Sequence, residues 1–509
     1  MITHARRLCC IPVLLAILAS AVTAQNPRIT VFISDTHFGV GKTPDGKWHP
    51  YEDARWATEF KLFLEQLNRE GNGQIDLIFN GDTFELWQSL QNDCIYPDEN
   101  LSCTEGQALT RLKTVIAAHQ AELDSIRAFA VSGDNRVFII PGNHDASLRF
   151  PALTAEVLRA IAAPADRVKI PTDGYWLSAD ALIYAEHGHQ IGKDPNQFSK
   201  WPTPFVDSNG VTYMQRPWGE QFVQKFYNSY EMKYPIIDNI QGELTGVRYG
   251  YKAEGTIGLA IALGRLVVST LLQSSWTQNG AVVGAQNGVK WDTVAIRKAG
   301  DRFFADSIPK DDPLRTLVEK SLNDGSFGAK LSDLTDKEIQ SICDVRAAIV
   351  AEDTRNRKPL RVELCPKATL GAGASALTSS RDSIYQQYLI DTFTRLRALG
   401  STRPFSLFIF SHTHLAEASY SPFARSTSSS WRPIVVNTGA WQRTISEQQL
   451  EKLMRDRGVK EKDVLKLQPE DLPPCYPVII VAPYSSTPQS LLRYWRQAGG
   501  NWSFGDTCN

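Results

Sequence analysis

Five short stretches of this 509-residue chain gather the side chain types that hold divalent cations: Asp35-Thr36-His37, Gly81-Asp82, Gly142-Asn143-His144-Asp145, His187-Gly188-His189 and His412-Thr413-His414. Carboxylate and imidazole donors without thiolate suit hard and borderline ions such as manganese, iron or zinc. Asp35 and His37, two residues apart, can both turn toward one ion where the backbone bends. Asp82 is the natural bridge, because a carboxylate has two oxygens to share between neighbouring ions. Asn143 offers a neutral amide oxygen that does not compete for protons, and His187, His412 and His414 complete the shells. Any one of these residues alone reads as a satisfied buried histidine or a turn aspartate, since ligation needs a cluster. As an ordered set they point to a pair of cations, and paired cations serve hydrolysis.

Each stretch begins within two residues of the end of an apolar run. The runs are Ile29 to Ile33, Ile75 to Phe79, Val137 to Ile140, Leu182 to Ala185 and Leu407 to Phe410, with two more at Ile434 to Val436 and Val478 to Val481. They are short and rich in β-branched and aromatic residues, as strands covered on both faces are. Helical patterns lie between them at Ala54 to Leu67, Gly106 to Phe129 and Asp382 to Leu399. This alternation predicts an α/β body with the ligands at neighbouring strand ends, where such bodies place their chemistry. A charge-dense pair of helices around Glu447 to Leu465 reads as a solvated outer element.

Between residues 196 and 380 the rhythm changes. Aromatics crowd its first part (Trp201, Phe205, Trp218, Phe222, Phe226, Tyr227, Tyr230, Tyr234), an apolar stretch runs from Ile257 to Leu272, and a Gly/Ala/Ser segment from Gly371 to Ser380 reads as a linker. The region is expected to be a mainly helical insertion that splits the body into residues 25–195 and 381–509. Its aromatics either pack its own core or form a lid or substrate-selecting surface. Ile257 to Leu272, interrupted by Arg265, suits a buried helix or a lipid-facing one.

Residues 1–24 read as an address. Arg6 and Arg7 precede an apolar stretch from Ile11 to Val22, and Val22-Thr23-Ala24 suits cleavage before Gln25, which predicts export to a periplasm or the medium. Of the 8 cysteines, Cys9 and Cys10 leave with the leader, so six remain. That even count suggests disulfides in an oxidising compartment. Sequence neighbours give the simplest pairing, Cys94 with Cys103, Cys343 with Cys365 and Cys475 with Cys508, among about fifteen possible ones. A net charge of −1 from 54 basic and 55 acidic residues argues against a nucleic-acid-binding surface. No transmembrane span is expected in the mature chain, because no stretch beyond the leader is long enough without a charge.

The ordered motifs resemble those of the calcineurin-like metallophosphoesterase superfamily, DxH, GD, GNH[DE], a later H and GHxH, with Ser411 where Gly is usual in the last. The resemblance covers about residues 27–195 and 385–445. It implies a four-layer α/β/β/α sandwich and two divalent or trivalent ions, Mn, Fe or Zn. Asp35, His37, Asp82 and His414 would hold the first ion, and Asp82, Asn143, His187 and His412 the second. It further implies in-line attack on phosphorus by a hydroxide shared between the ions. His144 would face the leaving group as a proton or hydrogen-bond donor. Asp145 would either orient His144 or cap the following helix, and His189 would contact substrate or support a ligand.

Gly81-Asp82-Thr83-Phe84-Glu85-Leu86-Trp87 is similar to the branch that contains UDP-2,3-diacylglucosamine diphosphatases, which makes Glu85 and Trp87 candidates for substrate contact or ligand support. That branch tends to carry Arg where this chain has His144, and HGD where it has His187-Gly188-His189. Export also separates this chain from a cytosolic nucleotide-lipid substrate. The expectation is an exported phosphoesterase acting on a phosphodiester or pyrophosphate, with a small-molecule or lipid phosphoester as substrate. The alternatives are a phosphomonoesterase acting on small phosphate esters, and a metal-binding scaffold without turnover.

Overall fold

The computed structural model describes residues 28–88, 94–241 apart from 95, 99, 193, 195, 225–227 and 238, then 377–424, 431–483 and 488–508, with isolated positions between 289 and 370. The leader, the stretch Ile257 to Leu272, and Cys343 with Cys365 lie outside the described residues.

The chain is a mixed α/β protein with several sheets. Its strands are β1 (Ile29–Ile33), β2 (Ile75–Asn80), β3 (Leu101–Thr104), β4 (Arg136–Ile140), β5 (Val168–Lys169), β6 (Tyr175–Leu177), β7 (Ile183–Glu186), β8 (Phe205–Ser208), β9 (Val211–Gln215), β10 (Val289–Lys290), β11 (Thr369–Leu370), β12 (Leu407–Phe410), β13 (Glu417–Tyr420), β14 (Ile434–Asn437), β15 (Cys475–Val481), β16 (Ser490–Ala498) and β17 (Asn501–Gly505). The helices used below are α1 (Ala57–Glu70), α2 (Glu105–Ala118), α3 (Gln120–Ala130), α4 (Pro151–Ile161), α5 (Trp218–Phe222), α6 (Asn228–Glu231), α7 (Leu377–Ala398) and α8 (Glu447–Arg457).

One sheet has the order β17-β16-β15-β1-β2-β4-β5, and its β1, β2, β4 and β5 run parallel. The other has the order β13-β14-β12-β7-β6, and its β7, β12 and β14 run parallel. Parallel neighbours end on the same edge, so the loops after β1, β2 and β4 emerge together, as do those after β7 and β12. All seven apolar runs read in the sequence are strands.

Three apolar clusters among the described residues cover the faces of these two sheets. Phe32, Ile78, Ile140 and Ile479 of the larger sheet share one cluster with Ile183, Ala185, Leu407, Ile409 and Val436 of the smaller. The opposite face of the larger sheet (Val31, Ile33, Leu77, Phe79, Val137, Ile139) packs with Phe60, Phe63, Leu64 and Leu67 of α1 and with side chains of α2, α3 and α4. The spacing of those α1 residues is one face of an amphipathic helix. Tyr184, Phe408, Phe410 and Val435 of the smaller sheet pack with Tyr385, Leu389 and Leu396 of α7.

Three expectations need correction, and the opening of the insertion gains detail. The helix read over Gly106 to Phe129 is two helices, α2 and α3, broken at His119, whose ring is drawn inward between Glu52 and Glu122. The described opening of the insertion is a β-hairpin, β8-β9, that pairs with β3. Asn209-Gly210 turns it, both residues having positive φ (51° and 77°), as a two-residue hairpin loop requires. Helix α7 begins at Leu377, inside the stretch read as linker. The element at Glu447 to Leu465 is solvated on one side only: Leu450, Met454, Val464 and Leu465 are buried against Tyr234, Ile236 and Ile240.

Candidate metal centre

The parallel strands deliver the motifs to one place. Asp35 and His37 follow β1, Asp82 follows β2, Asn143 follows β4, His187 follows β7, and His412 and His414 follow β12. Backbone bonds lace the loops within each sheet: Asp35 N to Gly81 O (3.1 Å) and His37 N to Asp82 O (3.1 Å) in the larger, and Ser411 N to His187 O (2.8 Å) in the smaller. Asp35, His37, Asp82, His412 and His414 all have φ between 45° and 70°. L-residues enter that region at a cost of about 1–3 kcal/mol each, and such strain collects at functional sites.

Two glycines are dictated by contact. A side chain at Gly81 would stand 2.2 Å from His187 Nδ1, and one at Gly142 the same distance from Asp82 Oδ1. Ser411 braces this junction. Its hydroxyl donates to Asn80 O (2.5 Å) and accepts from Asn80 Nδ2 (3.1 Å), whose amide also donates to Glu186 O (2.8 Å).

Three groups of donors could each close on one cation: Asp35, His37 and His414; Asp82, His187 and His412; and His37, Glu85 and His144. In the first group His414 Nε2 lies 3.3 Å from Asp35 Oδ1, and His37 Nε2 lies 4.0 Å from the same oxygen. In the second, His187 Nε2 is 2.9 Å from both Asp82 Oδ2 and Asn143 Oδ1. Asp82 Oδ2 is also 4.0 Å from His37 Nε2, so it stands between the first two groups.

His187 Nδ1 donates to Asn80 O (3.0 Å), and His37 Nδ1 meets Glu85 Oε2 (3.0 Å). Each ring is thereby fixed with its other nitrogen turned to the centre. His144 sits at the rim with its backbone N–H on Asp82 Oδ1 (2.8 Å), its Nδ1 on Glu85 Oε2 (2.5 Å) and its ring stacked on Trp87 at 4.1 Å between centroids.

The donor set fits cations on more than its chemistry. Asp35 Oδ2 and His37 Nε2 are buried and have no hydrogen-bond partner among the described residues, a costly arrangement unless something else satisfies them. Burial pushes the Asp35 carboxyl up, but the His414 and His187 rings outweigh it and hold it below its ordinary value. Burial is likewise overcome at Asp82, which His187 and His144 keep well below the carboxylate range. Burial lowers the imidazoles, yet the Glu85 hydrogen bond and the Asp82 charge raise His37 to about 10, and Asp82 and Asp35 raise His187 to about 9. Rings raised in this way hold protons that cations would have to displace, so loading would release protons.

The remaining candidates take definite places. Asp145 neither caps the following turn nor supplies the carboxylate that meets His144, which comes from Glu85. Its own carboxylate accepts from the backbone N–H groups of Gly142 (2.6 Å), Thr83 (2.8 Å) and Phe84 (3.2 Å), tying the second motif to the third. Burial and the Asp82 charge push it up to about 7. His189 is buried beside His412 and edge-on to Trp201, 4.5 Å between centroids, and burial drives its ring well below the ordinary value. Asp194 went unread in the sequence: its Oδ2 lies 3.0 Å from His412 Nε2. It sits in a Gly-Lys-Asp-Pro-Asn run that reads as an ordinary turn, so no sequence signal marks it. No family model, curated protein or solved structure matches this chain.

Proposed function

We propose that the chain is an exported metallophosphoesterase that uses two metal ions to hydrolyse a phosphodiester or pyrophosphate bond. The observation that carries the reading is the position of Asp82 between two donor groups, with the His144–Glu85 pair at their rim. Asp35, His37, Asp82 and His414 would hold one ion, and Asp82, Asn143, His187 and His412 the other. When bound, such ions supply an activated water and neutralise charge growing on the phosphoryl oxygens.

The residues of the chain do the rest. Glu85 binds Nδ1 of His144 and leaves Nε2 to hold a proton for the departing oxygen, help that contributes roughly 10²- to 10⁴-fold. Trp87 fixes the plane of that ring by stacking. Trp201 beside His189 and Gln224, which donates to Trp87 O (3.1 Å), bring the opening of the insertion to the site wall. We read this wall as the surface that grips a leaving group larger than water.

The core shared by the two sheets, with helices on each outer face, supports the four-layer α/β/β/α sandwich of the calcineurin-like superfamily. Bonds between Cys94 and Cys103 and between Cys475 and Cys508 support an oxidising destination. Among the described residues no helix is long and apolar enough to cross a membrane.

The test joins metal analysis of the mature protein to hydrolysis of bis-p-nitrophenyl phosphate and p-nitrophenyl phosphate. Two ions per chain with preference for the diester is the expected result. Preference for the monoester makes the chain a phosphomonoesterase, and two ions without turnover on a wider ester panel make it a metal-binding scaffold.

A further inference from the structure

We propose that Asp194 is a positioning residue for His412, and that its carboxylate decides which nitrogen of that ring faces the second cation. The inference rests on the two-ion reading above and adds to it a residue that none of the five motifs contains. Asp194 Oδ2 lies 3.0 Å from His412 Nε2, and both side chains are largely buried, 5% and 12% exposed. The other carboxylate oxygen accepts the backbone N–H of Asn196 at 2.8 Å, so the group is anchored by its own turn.

A neutral imidazole carries one N–H, and the acceptor it meets selects the nitrogen that bears it. A carboxylate at Nε2 draws the proton there and leaves Nδ1 bare for the ion that His412 would hold with Asp82 and His187. Asn196 Nδ2 approaches the same Nε2 at 3.4 Å and would need that nitrogen bare instead. The shorter, charged contact prevails over the longer, neutral one.

The same device recurs around the centre. His187 gives Nδ1 to Asn80 O and keeps Nε2 for the site, and His37 gives Nδ1 to Glu85 and keeps Nε2. His412 reverses the two nitrogens, because Asp194 approaches it from the opposite end of the ring. Without Asp194, His412 would divide between tautomers and lose an orienting partner, and such losses typically weaken metal affinity about 10- to 100-fold.

The experiment compares wild type with Asp194→Ala, Asp194→Asn and Asn196→Ala. Titration of the metal-free proteins with Mn²⁺ and with Zn²⁺ gives the affinity of each site. Long-range ¹H–¹⁵N correlations on the histidine rings, with His412→Gln assigning the signal, report the tautomer. In wild type we expect two ions and His412 protonated at Nε2. In Asp194→Ala we expect one site unchanged, the other weaker by roughly 10- to 100-fold, and a mixed His412 tautomer. Asp194→Asn, which keeps the volume and an acceptor oxygen, should lie between, and it carries the test if the alanine variant does not fold. Asn196→Ala should match wild type.

Wild-type affinity at both sites in Asp194→Ala, or in Asp194→Asn if only that variant folds, with His412 still protonated at Nε2, overturns the role of Asp194 while leaving the two-ion reading intact. A weakening that Asn196→Ala matches overturns it as well. Fewer than two ions in wild type overturns the underlying reading instead.

Discussion

Glu85 Oε2 stands 2.5 Å from Nδ1 of His144, and this same oxygen reaches Nδ1 of His37 at 3.0 Å. One carboxylate therefore serves a ring at the rim and a ring of the proposed metal centre. Burial pushes it up, but the two rings hold it below the ordinary carboxylate range, so it stays charged. Its other oxygen accepts the N–H groups of Trp87 (2.6 Å) and Gln88 (2.9 Å), which leaves it little room to move.

The two roles of Glu85 separate under mutation. His144→Ala should lower kcat by about 10²- to 10⁴-fold, the share of a general acid, with two ions still bound. Glu85→Gln should lower kcat as well and also weaken the ion held by His37 by roughly 10- to 100-fold. Steady-state kinetics beside metal titration checks both. Unchanged metal affinity in Glu85→Gln would remove the link to His37.

Asp82 is the harder constraint. Replacing it with Asn keeps the shape and one acceptor oxygen but removes the charge that two cations would share. Asp82→Asn should bind one ion per chain at most and hydrolyse no ester above background. Metal analysis by mass spectrometry decides it, and full occupancy with turnover would discredit the proposed centre.

How much of this was legible in the sequence depends on range. The strands that carry the candidate ligands are local signals: apolar runs such as Ile29–Ile33 and Leu407–Phe410 that a buried strand requires, each ending beside a candidate ligand. The proposed ligand residues are Asp, His and Asn, types that carry metal-binding chemistry on their own, so the sequence marks them as candidates. Glu85 was legible as a neighbour of the site, but its contact with two rings was not, because His37 and His144 lie 48 and 59 residues away. Asp194 was invisible for the same reason, since its partner His412 lies 218 residues along the chain. The hairpin at the start of the insertion could have been read from Asn209-Gly210, a turn signal hidden by the surrounding aromatics. The break at His119 was not legible because one of its two carboxylate partners, Glu52, comes from a distant segment, and Glu122, three residues on, reads as an ordinary helical neighbour.

His119 makes a pH prediction away from the centre. Its ring is stacked on Phe38, with Nε2 at 3.2 Å from Glu52 Oε2 and Nδ1 at 3.4 Å from Glu122 Oε1. The Gly39 N–H lies between Nε2 (3.1 Å) and Glu52 Oε1 (3.4 Å), and a proton on Nε2 leaves it to the carboxylate. Burial lowers this ring, but Glu52 and Glu122 more than reverse that and raise it from 6.5 to about 10. A raised value means that the folded state holds the proton more tightly. The stabilisation is therefore complete at and below pH 6.5 and is lost as pH climbs through 10. Melting temperature should fall between pH 7 and 10 in wild type, and His119→Gln, less stable at pH 7, should show a flatter profile. Parallel profiles for the two proteins would remove His119 from the account.

The bond between Cys475 and Cys508 makes the last prediction. It ties the first residue of β15 to the chain just past β17, closing 33 residues of sequence around the outer strands of the larger sheet. A loop of that length is worth about 4 kcal/mol in the chain-entropy account, against roughly 2–3 kcal/mol for the 9-residue separation of Cys94 and Cys103. β15 also pairs directly with β1, Thr30 opposite Val481, five residues before Asp35. Loosening these strands should therefore reach the proposed metal centre as well as global stability. Cys475→Ser/Cys508→Ser should unfold at lower denaturant than Cys94→Ser/Cys103→Ser, and reductant should shift wild type toward the less stable of the two. Equal midpoints with and without reductant would show that neither bond contributes to stability in solution.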